Sequence, residues 1–191
     1  MPSLAISLFG PFQARYNAQP LAGFATDKIR ALLAYLALES GKPHRREALA
    51  TLLWPDYPDE TALRNLRQAL YRLRQTLHEA DPALPDHLLQ QTRQTLTLHP
   101  AALTLDTAQF TALLQQAKTT PNPTSLLTQA ADLYQGELLK GFSIPDAYAF
   151  DEWLTIQREI YHRYALDTFV RLLAHYEMRE DTEAILTLAP R

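Results

Sequence analysis

The sequence predicts an α+β N-terminal unit with the element order of a winged helix-turn-helix, followed by a wholly helical unit. Three observations predict it. Residues 1–100 run through short apolar stretches, three amphipathic helical stretches and an alternating hairpin; from Leu105 onward every periodic stretch is helical; and the charge balance changes sign between the halves. Residues 1–100 hold 11 Lys/Arg against 9 Asp/Glu, and residues 101–191 hold 7 against 12, so a slightly basic half precedes an acidic one within a net charge of −3. Such asymmetry suggests two units with different partners. The expected division is therefore 1–100 and 101–191.

Each element has a local cause. Leu4 to Phe9 is an apolar strand-like run, Gly10-Pro11 turns it, Phe12 to Tyr16 alternates, and Asn17 to Pro20 turns again. Thr26 is the expected N-cap of a first helix with Asp27 in its first turn. Ile29, Leu32, Leu33 and Leu36 give that helix the i, i+3, i+4, i+7 stripe. Ser40 to Pro43 ends it. A second helix is expected from about His44 through Leu49, Leu52 and Leu53, stopped at Trp54-Pro55, with Trp54 read as core. Asp59 is the expected cap of a third helix reaching about His78. His87 to Leu98 reads as two strands meeting near Thr92-Arg93-Gln94. In the second half, Asp106 is expected to cap a helix carrying Phe110, Leu113 and Leu114. Further helices are expected over Ser125 to Leu139 and Ala147 to Met178, and a last one from about Asp181. Helices paired at this length suggest a repeat architecture, and a stop at Pro190-Arg191 would leave a pair unfinished, the pattern of a fragment.

Composition narrows the function classes. Apolar residues make up 47% and charged residues 20% of 191, ordinary values for a globular chain. No run of about 18 apolar residues suggests a membrane span, and the first residues lack a signal peptide's basic leader. With no cysteine, the expected compartment is the cytoplasm. Five scattered glycines form no phosphate-cradling loop, and six histidines show no metal-ligand spacing. No catalytic residue, metal or cofactor is expected.

One helix carries chemistry. Leu63, Leu66, Leu70, Leu73 and Leu77 are spaced 3, 4, 3, 4 and form a single apolar stripe. Opposite it fall Arg64, Gln68, Tyr71 and Gln75, with Asn65 and Arg72 on one shoulder and Arg67 and Arg74 on the other. Four arginines occur between Thr61 and His78 with no Asp or Glu among them. A merely solvated helix face usually interleaves Glu with Arg for i, i+4 pairing; this one forgoes it. Arg, Asn, Gln and Tyr are also the side chains that read base edges and grip phosphates. Double-stranded DNA is the partner this face suits. Further contacts are expected from His44, Arg45 and Arg46 at the start of the second helix, from Arg93 with Gln91 and Gln94 at the hairpin tip, and from Thr26 and Lys28.

These residues carry a family resemblance. Lys28 to Leu38, Arg46 to Asp56 and Ala62 to Arg74 resemble SARP-type bacterial regulators, which pair an OmpR-like winged helix with a bacterial transcriptional activation domain. Ala131-Asp-Leu-Tyr-Gln-Gly-Glu-Leu-Leu-Lys-Gly-Phe and Phe150-Asp-Glu-Trp-Leu are similar to that second domain's signature. The resemblance implies promoter binding through the helix at 61–78, a wing near 87–98, and a tetratricopeptide-like all-α helical domain from about residue 104. It also implies an activator that binds direct repeats as a homodimer, with RNA polymerase as a further partner. The rival expectation is a helical-repeat interaction scaffold whose winged helix does not bind DNA.

Overall fold

The computed structural model describes residues 4–183 and 185. Strand β1 (Leu4–Ser7) pairs antiparallel with β2 (Gln13–Tyr16), which pairs with β3 (Gln19–Pro20). The two-residue connection places Asn17 at φ 49° and Ala18 at φ 67°. Two consecutive left-handed residues match the twist of a tight hairpin, readily for Asn and at a steric cost for Ala. Alternation decides which side is buried: Leu4, Ile6, Ala14 and Tyr16 face the core while Gln13 and Arg15 face solvent.

Helices α1 (Asp27–Leu38), α2 (Arg46–Leu53) and α3 (Asp59–Ala80) follow, then a short α4 (Leu84–Leu88). The two-residue strand β4 (His44–Arg45) joins the hairpin β5 (Leu89–Gln91) and β6 (Thr95–Leu98) in a sheet of order β4-β6-β5. This is the winged helix with its N-terminal sheet. After a single 3-10 turn, β7 (Leu103–Leu105) returns to lie parallel to β1. The first sheet therefore brackets the three helices and feeds directly into α5 (Asp106–Thr119), α6 (Thr124–Leu133) and the 30-residue α7 (Tyr148–Glu177).

One hydrophobic cluster runs from Leu4 through α1, α2 and α3 to Phe150, Leu154 and Ala165 of α7. Helix α1 shows why. Its predicted stripe is buried along with Ala31, Ala34 and Ala37, and Trp153 of α7 packs on its Tyr35 at 4.8 Å between ring centroids. Trp54 is buried, as its place at the end of α2 predicts.

Several local expectations are corrected. Asp59 and Asp106 are the first helical residues, preceded by Pro58 and Leu105 at the caps; their acidity still complements the helix dipole. Thr26 is the N-cap of α1 by position but makes no side-chain cap bond. His44 and Arg45 are strand, so α2 begins at Arg46, and α3 continues past His78 to Ala80. His87 lies in α4 instead of a strand. The helix expected over Ser125 to Leu139 stops at Leu133. Beyond it Gly136 (φ 148°) and Leu139 (φ 49°) leave helical geometry. Leu138 bridges to Phe9 and Gly10 at the end of β1, and Arg158 donates to the carbonyls of Leu138, Leu139 and Phe142 at 2.7–3.0 Å. The helix expected from about Asp181 lies largely outside the described residues.

Candidate nucleic-acid interface

Helix α3 separates two faces cleanly. Ala62, Leu66, Ala69, Leu70, Leu73, Thr76 and Leu77 are buried, and Leu63 is half-buried. Arg64, Arg67, Gln68, Tyr71, Arg72 and Gln75 are exposed. Tyr71 is 69% exposed, an aromatic ring left to solvent among three arginines. The leucine stripe fixes the helix's rotation: burial of Leu66, Leu70 and Leu73 in the core leaves the basic face only one direction to point. Asn65 is half-buried at the edge of that face.

The hairpin is braced from α2. Arg46 donates through Nε to the Thr92 carbonyl at 3.1 Å and through Nη2 to Gln91 Oε1 at 3.0 Å. Its backbone N–H donates to the Gln94 carbonyl at 2.9 Å. Thr92 Oγ1 accepts from the Thr95 and Gln94 N–H groups at 2.8 and 3.2 Å and closes the tip. The tip is thus a fixed shape with Arg93 and Gln94 exposed on it. Arg45, exposed on β4, sits opposite Thr95 in the same small sheet.

Other predicted contact residues are engaged within the chain. Lys28 Nζ is 2.7 Å from Asp146 Oδ2 and lies over the Trp54 ring, 5.3 Å from its centroid. Arg74 pairs with Asp86 at 2.6 Å, and that guanidinium holds the Asp86 carboxyl below its ordinary value. His44 packs edge-on against Tyr35, with Nε2 3.3 Å from the Glu39 carbonyl. Thr26 remains exposed beside Lys28.

A cleft of about 530 Å³ joins the groups that sequence reasoning treated separately: Thr26, Lys28, Asn65, Gln68 and Arg72 line it together with Asp146. The residues from Ser143 to Asp146 on its far wall were not among the sequence-predicted contacts. Their only local signal is Pro145-Asp146 ahead of the long helix. The second half therefore reaches the border of the basic face, and it does so with a carboxylate.

Residues 24–95 match the family described as "Transcriptional regulatory protein, C terminal", a span that contains α1, α2, α3 and most of the hairpin. Among solved structures the chain is similar to Mycobacterium tuberculosis EmbR, determined in complex with a low-affinity phosphopeptide. That likeness has a TM-score of 0.65 and 23% identity, and covers 98% of this chain and 54% of that one. The chain thus spans about half the length of the solved protein it matches. No curated protein is a match to it. No helix among the described residues is long and apolar enough to cross a membrane. Over residues 24–95 the chain is thus similar to a transcriptional regulatory domain, and over nearly its whole length it shares the fold of the solved EmbR chain.

Proposed function

We propose that this chain is a sequence-specific, double-stranded-DNA-binding transcriptional activator of the cytoplasm, with α3 as its reading helix. The observation that carries the reading is the outward face of α3, where Arg64, Gln68, Tyr71 and Arg72 are exposed opposite a stripe whose Leu66, Leu70, Leu73 and Leu77 are buried. In a major groove, Arg64 and Arg72 suit guanine edges or phosphates, and Gln68 suits adenine. Arg67 and Gln75 flank them toward the phosphate backbone, with Asn65 at the cleft edge. Arg45, Arg93 and Gln94 supply the second contact, from the wing. Arg46 and Lys28 act from behind: one holds the wing tip, the other the border of the reading face. Residues 1–100 are then the DNA-binding unit and residues 101–191 the helical activation unit. In this reading promoter direct repeats are bound by two copies and RNA polymerase is the partner downstream.

Selection of bound fragments from a randomised duplex pool, followed by fluorescence anisotropy against salt, tests this. Observed affinity is expected to fall steeply with salt, with a log–log slope of about −0.9 per phosphate neutralised. Arg64→Ala or Arg72→Ala is expected to cost about 1–3 kcal/mol on the selected site if the residue reads a base. Because both side chains point outward, the melting temperature stays within about 2 °C of the parent, the scale of surface changes. A flat salt dependence, or an unenriched pool, rejects the DNA reading in favour of an interaction scaffold.

A further inference from the structure

A second charged feature lies between α5 and α7 and shares no lining residue with the α3 face. The second half is acidic, yet three of its seven Lys/Arg side chains line one groove between α5 and α7. Thr111, Leu114, Gln115 and Lys118 come from α5; Arg163, Tyr164, Asp167 and Arg171 come from α7, so three cations outnumber one carboxylate. The groove measures about 360 Å³. Its floor is secured where Ala117 of α5 and Leu172 of α7 share a buried cluster with Leu127 and Ala131, which also places Lys118 at the Arg171 end.

The cations are available for a ligand. Arg163 approaches Glu159 at 3.6 Å and Arg171 approaches Asp167 at 3.7 Å, both beyond hydrogen-bond length. Intrahelical pairs this exposed contribute about 0–1 kcal/mol each. A carboxylate meeting a guanidinium in bidentate fashion binds more strongly than either. Lys118 is exposed and has no carboxylate within ion-pair distance among the described residues.

Spacing identifies the ligand class. Arg163 and Arg171 are eight residues apart on one helix, about 12 Å at 1.5 Å per residue. A ligand that meets both without drawing the two side chains together is an extended one. An extended peptide rises about 3.3 Å per residue and shows every second side chain on one side, so acidic residues four apart span about 13 Å. The side chain midway between them would meet Leu114 of α5, with Tyr164 toward the Arg163 end and Asp167, held toward Arg171, on the α7 side. We propose that the α5–α7 groove is a docking site for an extended acidic peptide of the pattern acid–x–apolar–x–acid. One acid takes Arg163 and the other takes Lys118 with Arg171.

The test uses the full chain and a fluorescein-labelled peptide centred on Glu-Ser-Leu-Ser-Glu, with Gln-Ser-Leu-Ser-Gln as the charge-free control, followed by anisotropy at low salt. The expected result is saturable binding of the Glu peptide, weakened at least about tenfold in the Gln peptide and in the Lys118→Glu/Arg171→Glu variant. Tenfold is the scale of one lost charge-assisted contact. An unchanged melting temperature shows that the variant is folded; if it melts early, Lys118→Gln and Arg171→Gln singly replace it. Equal binding of the two peptides, or no binding of the Glu peptide, overturns the proposal. So does a double variant that keeps the peptide but loses affinity for duplex DNA, since the groove would then belong to the nucleic-acid surface.

Discussion

Asp106 offers the sharpest test of how the two halves are joined. It is the first residue of α5, and its Oδ2 accepts the backbone N–H groups of Leu8 and Phe9 at 2.7 and 2.9 Å. Oδ1 accepts the N–H of Thr107 at 2.8 Å. Leu8 and Phe9 are 0% and 4% exposed, so no water replaces the carboxylate if it is removed. Asp106→Ala therefore strands two buried donors at about 1–3 kcal/mol each, partly offset by no longer desolvating a carboxylate. The expected net cost is about 2–4 kcal/mol, or a fall of roughly 5–15 °C in Tm for a chain of this size. Asp106→Asn keeps an acceptor oxygen and should lose less. The pH dependence separates charge from hydrogen bonding. Burial, the largest influence, raises the Asp106 carboxyl above the ordinary 3.8, against the pull of its backbone donors. Just above 3.8 the folded chain thus holds a proton that the unfolded chain releases. Wild-type stability attributable to this group falls as pH rises from 3.8 to the raised folded value and is level beyond it. Asn has no such slope, so the stability difference between wild type and Asp106→Asn should narrow as pH rises through that window. Thermal and urea unfolding across pH measure both effects. An Ala variant melting within 2 °C of wild type (below the loss of even one buried bond) would refute the clasp.

Two further outcomes bear on the interface. Arg46→Ala removes the bonds to Thr92 and Gln91, so amide exchange over residues 91–95 should accelerate by about tenfold, as for a local loss of about 1–1.5 kcal/mol, while exchange in α3 stays unchanged. Equal acceleration in both would mean Arg46 supports the whole domain and not the wing. Asp146→Ala removes a negative charge from the border of the reading face and releases Lys28. Duplex affinity at low salt should rise, and the salt slope should steepen by up to about 0.9 if Lys28 then takes a phosphate; an unchanged slope would place Lys28 outside the footprint.

What the sequence discloses, and what it hides, follows from the reach of the forces involved. The rotation of α3 is legible because five leucines within fifteen residues decide it. The strand-helix-hairpin order is legible for the same reason: each element declares its own period. The strand at His44–Arg45 is hidden, since two residues have no period and pair only because Leu96 and Thr95 arrive from fifty positions later. The early end of α6 is hidden too. Leu133, Leu138 and Leu139 do not themselves exclude a helix, and the decision comes from the edge of β1 and from Arg158. The same holds for the basic side chains. Arg64 and Arg72 could be assigned from helix geometry, but Lys28 is claimed by a carboxylate 118 positions away and Arg46 by the wing 45 and 46 away. A charge counted along the chain says nothing of its partner.

Those long-range partners converge on one consequence. The helical half is not tethered by a linker: β7 lies in the N-terminal sheet, Asp106 clasps the end of β1, Trp153 packs on Tyr35, and Asp146 holds Lys28. Three of these ties reach the core through α1 or β1, behind the reading helix. The fourth, Lys28 with Asp146, borders the reading face itself. A partner that moved the 143–146 segment would act on that border first, leaving the buried ties intact, because a single ion pair whose carboxylate is half-exposed holds less than a buried strand and aromatic contact together. If α3 reads DNA as proposed, a signal from the helical half is expected to reach it through the electrostatics of Asp146, without any repacking of the core.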